Sequence, residues 1–226
     1  MPEIWQEKFL SMVKKLLVFD FDGTIADSKR LYVDIIHDSL AKASYIYPRS
    51  SIIRALGPKL EGTLLNLKNF DKKTLKKLSE EINDFVTGKA ESLKVCPHVK
   101  SELRKLSRSG KYRIILLTNS VRAFSIAFLK KNNMLNDFDL ILGSEDFIDK
   151  PMELRLLANR FKVNIKDIVY VGDRAMDYKL AKHVGSHIIL PYACSWDKSK
   201  IMSRKYSKVR IENLGKIEEK LNGKFR

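Results

Sequence analysis

Cysteine is nearly absent: Cys96 and Cys194 are the two in 226 residues, too few for a disulfide scaffold and without C-x-x-C spacing. A zinc knuckle is excluded on the same ground. Read as two separate thiols, they fit a reducing compartment. No apolar run approaches the ~20 residues of a membrane-spanning helix, and the first dozen residues lack a signal-peptide apolar centre. The expected location is the cytoplasm. There is no internal repeat and no low-complexity tract, and the four histidines have no ligand-like spacing. Acidic residues are the scarcer charge, 27 against 43 basic ones, for a net charge of +16. The excess is concentrated in residues 100–131 and 198–226. In the first, Lys100, Arg104 and Arg108 recur every four residues while Val99, Leu103 and Leu106 take another face, which describes an amphipathic helix with a basic outer stripe. A solvated face explains the stripe. The use of this basic surface by a nucleic-acid-associated protein is the alternative, but no interleaved aromatics or binding motif support it.

What the chain does have is an alternation. Apolar runs at 16–19, 113–118, 139–142, 168–171 and 187–190, with 209–211 as a further candidate, read as short strands. Helical patterns near 98–108, 120–131, 151–161, 175–184 and 213–222 fall between them. Nearly all-apolar strands separated by helices imply an α/β fold, a doubly wound parallel sheet of the Rossmann-like kind covered on both faces. From 29 to 94 the rhythm stops. Helices are expected at 31–43, 51–56 and 61–67, and Asp71 can cap a long one bearing Leu75, Leu78, Ile82 and Phe85. So many helical residues exceed a crossover, so an all-helical cap domain (29–94) inserted into an α/β core domain (1–28 and 95–226) is expected. Residues 1–11 read as a docking helix or an extension before an alternative start.

In such a sheet the site forms beyond the carboxyl ends of the strands. Those ends carry Asp20 and Asp22, then Thr118, Asn119 and Ser120, then Lys150 after the third strand, and Gly172-Asp173 with Asp177 four residues on. Buried carboxylates two positions apart cost free energy unless a cation or a proton lies between them. Mg2+, with its preference for hard oxygen ligands, would neutralise them. The lysine and the Thr118 hydroxyl could hold a phosphoryl group.

These segments, DFDGT (20–24), LLTNS (116–120), Lys150-Pro151 and GDRAMD (172–177), resemble in order the four motifs of the haloacid dehalogenase-like superfamily. The likeness is to its phosphatase branch with a helical cap after the first strand. It implies that Asp20 is the nucleophile and Asp22 the general acid and base. It implies a magnesium site from the Asp20 carboxylate, the Asp22 backbone carbonyl and Asp173, with Asp177 behind them. Thr118, the Asn119 N–H and Lys150 would grip the phosphoryl group, and Gly23 would make a tight turn where a side chain would crowd the substrate. Asp27 and Ser28 are expected to cap the first inserted helix. Arg174, directly after the Gly-Asp pair, departs from the small residue or Ser of many relatives, and Lys59, in a bend of the insert, reads as solvated. An acid at position 22 implies phosphate-ester chemistry. The expectation is a phosphatase of a small phosphorylated metabolite of the phosphoglycolate type, monomeric or homodimeric. A sugar phosphomutase of the β-phosphoglucomutase type is the alternative.

Overall fold

The computed structural model describes residues 15–223; the reading of residues 1–11 lies outside them. The first strand, β1 (Lys15–Phe19), exposes Lys15 and buries the next four residues completely. Side chains alternate across a strand, and here the alternation divides the core. Leu17 and Phe19 join one apolar cluster, Leu16 and Val18 the other. The same division separates Ile114 and Leu116 from Ile115 and Leu117 in β2 (Tyr112–Leu117), and Val169 and Val171 from Ile168 and Tyr170 in β4 (Ile168–Val171). With β3 (Leu140–Leu142), β5 (His187–Pro191) and β6 (Arg210–Ile211), these strands form one parallel sheet in the order β3-β2-β1-β4-β5-β6. The chain leaves β1 toward β2 and β3, then returns to build β4 on its other side. That reversal opens a crevice at the β1 and β4 carboxyl ends.

Five α-helices lie between β1 and β2, of which the first four are α1 (Lys29–Lys42), α2 (Arg49–Ala55), α3 (Leu60–Leu67) and α4 (Lys72–Gly88). Asp71 caps α4 by accepting from the N–H groups of Lys73 and Thr74, each at 3.0 Å. The buried face of α4 is Leu78, Ile82 and Val86. Phe85, expected inside, points outward with Lys42 over its ring; Val86 stands one full i+4 step beyond Ile82 and takes the inner place. The other helices are α5 (Val99–Arg108), α6 (Arg122–Lys131), α7 (Lys150–Arg160), α8 (Ala175–Val184), a short unforeseen α9 (Lys198–Ile201) and α10 (Ile217–Asn222). The helix expected from 213 starts instead as a 3-10 turn over Leu214–Lys216. Apolar residues of the insert, including Ile36, Leu64 and Ile82, share one cluster with Phe19 of β1 and with Phe124 and Phe128 of α6. The α5 stripe is as expected, except that Arg104 is tied at the surface to a neighbouring turn, donating to the Asn133 carbonyl at 2.6 Å and facing Asp137 at 3.6 Å. No described helix is long and apolar enough to cross a membrane.

One expectation is overturned. Cys96 and Cys194 are not separate thiols but bonded to each other, with Cα atoms 6.1 Å apart across 98 residues of chain. Cys96 lies where the insert returns to the core, its N–H held by the Ile25 carbonyl at 2.9 Å. Cys194 belongs to the loop after β5. Only the fold brings these places together, so spacing in the sequence carried no trace of the pair. The inference of a reducing compartment from unpaired cysteines loses its footing.

Candidate active site

The Asp20 N–H donates to the Val171 carbonyl at 2.8 Å, carrying the β1–β4 ladder one residue past the strand and fixing Asp20 in the crevice. Its Oδ1 accepts from the Phe21 N–H at 2.8 Å and lies 2.9 Å from Lys150 Nζ. Lys150 opens α7, where the helix dipole disfavours a cation. It is nevertheless 95% buried, held by Asp20 and by donating to the Tyr170 hydroxyl at 2.7 Å. The helix start itself is fixed by Asp149, whose carboxylate accepts from the Met152 N–H at 2.7 Å, and by Pro151. Asp20 keeps 13% of its side chain exposed, toward a cavity.

Asp22 turns away from Asp20. Its Oδ1 accepts from the Ser28 hydroxyl and its Oδ2 from the Ser120 hydroxyl, each at 2.5 Å, and the Ser120 hydroxyl shares a 2.7 Å hydrogen bond with that of Tyr32. Ser28 does occupy the N-cap position of α1, but its side chain makes no capping bond because Asp22 engages it. Desolvation raises the Asp22 pKa to about 6, against the two serine hydroxyls, which lower it. Gly23 has φ +74°, and a Cβ there would stand 2.3 Å from Asp173 Oδ2 and 2.8 Å from the Trp196 ring. The glycine makes room for the Asp173 carboxylate and the indole that covers it.

Asp173 is completely buried just beyond β4. Its Oδ2 accepts from the Trp196 N–H at 2.5 Å and its carbonyl from the Ser195 hydroxyl, while Oδ1 is buried with no hydrogen-bond partner. Asp177, in the first turn of α8, accepts from the Arg174 N–H at 2.8 Å. A Cβ on Gly172 would fall 2.5 Å from its carboxyl carbon. Carboxylate oxygens of Asp20, Asp173 and Asp177 lie within 4.8 Å of one another. Burial first, then the neighbouring acids, raises the pKa of Asp173 and of Asp177. Three crowded hard oxygens and one orphaned buried oxygen atom suit a divalent cation of the magnesium kind. The Asp22 carboxylate stands outside this cluster.

Thr118, just past β2, is buried; its N–H donates to the Leu142 carbonyl and its Oγ1 accepts from the Ser120 N–H, both at 3.0 Å. Asn119 lines the cavity, a space of about 370 Å³ with Asp20, Asp22, Lys150 and Asp177 on the core side. Leu56, Pro58, Lys59 and Asn83 of the insert face them. Lys59 is not free in solvent: its Nζ donates to the Ile148 carbonyl at 3.0 Å. Of the residues read from the strand ends, Asp20, Asp22, Asn119, Ser120, Lys150 and Asp177 therefore line one cavity, Asp173 is buried beside Asp20 and Asp177, and Thr118 is buried without lining the cavity. Sequence reasoning missed their supports, namely Ser28 and Tyr32 of the first inserted turn, Tyr170, Ser195 and Trp196. It also placed Ser120 at a strand end without a task. Only Ser120, two residues from Thr118, had a local signal.

Residues 17–190 match the family model for the haloacid dehalogenase-like hydrolases. A phosphoglycolate phosphatase of Nitrosospira multiformis is 32% identical over 100 residues, a stretch that spans 42% of this chain and 44% of that protein. One of Aliivibrio fischeri is 24% identical over 188 residues, 76% of this chain and 82% of its own. The crystal structure of a hydrolase from Pseudomonas syringae has the same fold, with a TM-score of 0.79 at 17% identity over 93% of this chain and 99% of that one. With its four motifs gathered at one crevice of the sheet, the chain belongs to the haloacid dehalogenase-like hydrolases.

Proposed function

We propose that the protein is a magnesium-dependent phosphatase acting on a small phosphorylated metabolite through an aspartyl-phosphate on Asp20. The observation that carries the reading is the Asp20 carboxylate, open to the cavity, 2.9 Å from Lys150 and clustered with Asp173 and Asp177. Asp20 attacks phosphorus while Lys150 holds its carboxylate in place and balances charge on the transferring group. Thr118 and the Asn119 N–H hold the phosphoryl oxygens. Asp22, whose raised pKa suits proton transfer near neutrality, protonates the leaving oxygen. It then takes a proton from the water that attacks the phosphorylated Asp20. Asp20, the Asp22 backbone carbonyl and Asp173 would hold magnesium, with Asp177 behind them. The ion supplies charge neutralisation at the phosphoryl oxygens.

Residues 29–94 act as a cap domain over a core of 1–28 and 95–226, excluding water from the cavity. The phosphoglycolate phosphatases among the relatives make a phosphoglycolate-type substrate the first to test. The test is a panel of phosphorylated metabolites with released phosphate as readout. The wild type releases phosphate with magnesium and stops in EDTA, and Asp20→Asn, folded by circular dichroism, releases none. Metal-independent turnover, or turnover by Asp20→Asn, contradicts the proposal. A hexose 1-phosphate that is isomerised rather than hydrolysed assigns a mutase instead.

A further inference from the structure

Arg174 reaches from the carboxylate crevice to bond the main chain of the inserted helices at two points. Its own N–H is fixed by Asp177 at the start of α8. Its guanidinium donates from Nη2 to the Leu56 carbonyl at 2.9 Å and from Nη1 to the Gly57 carbonyl at 3.0 Å. These carbonyls lie where α2 ends, at the kind of terminus whose last C=O groups have no partner within the helix. The bend that follows, Gly57-Pro58-Lys59, forms part of the cavity wall facing Asp20.

The base of the side chain is braced as well. Its Nε makes no hydrogen bond but faces Asp197 Oδ2 as an ion pair at 3.6 Å, and its guanidinium carbon lies 5.8 Å from the centroid of the Trp196 ring. Trp196 in turn gives its N–H to Asp173. One side chain thus ties the bend to the loop that holds the metal-facing acid. A second tie, Lys59 to the Ile148 carbonyl, fastens the far end of the same bend beside α7.

We propose that Arg174 is a positioning residue, a latch that holds the 56–59 bend down over the phosphoryl site from the α8 side. The kinetic part of this inference rests on the proposed phosphatase activity; the latch does not. A charge-assisted hydrogen bond is stronger than a neutral one, and its loss frees a surface-facing bend without emptying the core.

The experiment is hydrogen–deuterium exchange of the free enzyme, wild type against Arg174→Lys and Arg174→Met, with KM and kcat for an aryl phosphate measured alongside. Amides of residues 56, 57 and 59–63 should exchange at least about tenfold faster in Arg174→Met, since the loss of one charged hydrogen bond is already on that scale and the variant loses two, and by an intermediate factor in Arg174→Lys, which keeps a single cationic donor. Amides of β1 should keep wild-type rates, and KM should rise several-fold with kcat changed less. Unchanged exchange at 56–63 together with a raised KM overturns the latch and makes the guanidinium a direct contact of the substrate. Should Arg174→Met loosen β1 as well, Arg174→Lys decides: faster exchange confined to 56–63 upholds the latch, and none overturns it. Absence of phosphatase activity in every form sinks the functional proposal and leaves the exchange result standing.

Discussion

Asp22 shows how much of a residue's chemistry comes from its neighbours. A carboxyl with an ordinary pKa of 3.8 is carried to about 6 by desolvation, and Ser120 and Ser28 keep it from rising further. Removing the Ser120 hydroxyl deletes a lowering contact, so Ser120→Ala should move the Asp22-dependent limb of the kcat/KM profile to higher pH. A shift to lower pH contradicts the assignment of that limb to Asp22. Asp22→Asn should cost about 10²–10⁴-fold in phosphate release from an alkyl phosphate. With an aryl phosphate, whose leaving group needs no proton, the same variant should still show a burst of phenol in the first turnover. The acids themselves were legible in the sequence because a strand end fixes where each one stands. Ser28, Tyr32 and Trp196 were not, since they reach the site through contacts that only the folded chain creates.

At the scale of elements, α4 was readable from Asp71 and its apolar spacing, because capping and the 3.6-residue period are local properties. Asp71→Ala should lower the urea midpoint of unfolding, because the Lys73 and Thr74 N–H groups lose their acceptor. The Phe85 and Val86 exchange was not readable, since both fit the period and packing against the core chose between them. The Cys96–Cys194 bond lay wholly outside what periodicity reports. It closes a loop of 98 residues between the return of the insert and the loop that holds Asp173. The chain-entropy argument assigns such a closure about 4–5 kcal/mol through the unfolded state. Oxidised protein should therefore unfold at higher urea than Cys96→Ser, and coincident midpoints would show that the bridge adds no stability.

For the whole molecule, the doubly wound parallel sheet follows from six apolar runs and their helices, which is why the architecture could be read before any coordinate, whereas the order of the strands emerged only in the fold. The basic excess could be counted but not assigned, because the fold engages some of those cations in hydrogen bonds to main-chain carbonyls, as at Arg104, Arg174 and Lys59. The clustered acids give the metal-free protein a definite pH response. Asp22, Asp173 and Asp177 have raised pKa values in the fold. Their protonated forms favour the native state below about pH 4, and the contribution of Asp22 and Asp177 is lost as pH rises through about 6, with Asp173 acting in the same direction. Asp34 and Asp71 are shifted downward and act below that window. In EDTA the unfolding free energy should thus fall from pH 4 to pH 7, and magnesium should reverse the fall; a metal-free protein that gains stability over that range contradicts the cluster. The central claim, that Asp20 takes up the phosphoryl group, is tested most directly by quenching the enzyme during turnover and reducing acyl phosphates with borohydride. Mass spectrometry of the peptide carrying Asp20 should then show homoserine at that position, only with substrate and magnesium present. An unmodified Asp20 in an enzyme that is releasing phosphate, with Asp22→Asn giving the same result, would contradict it.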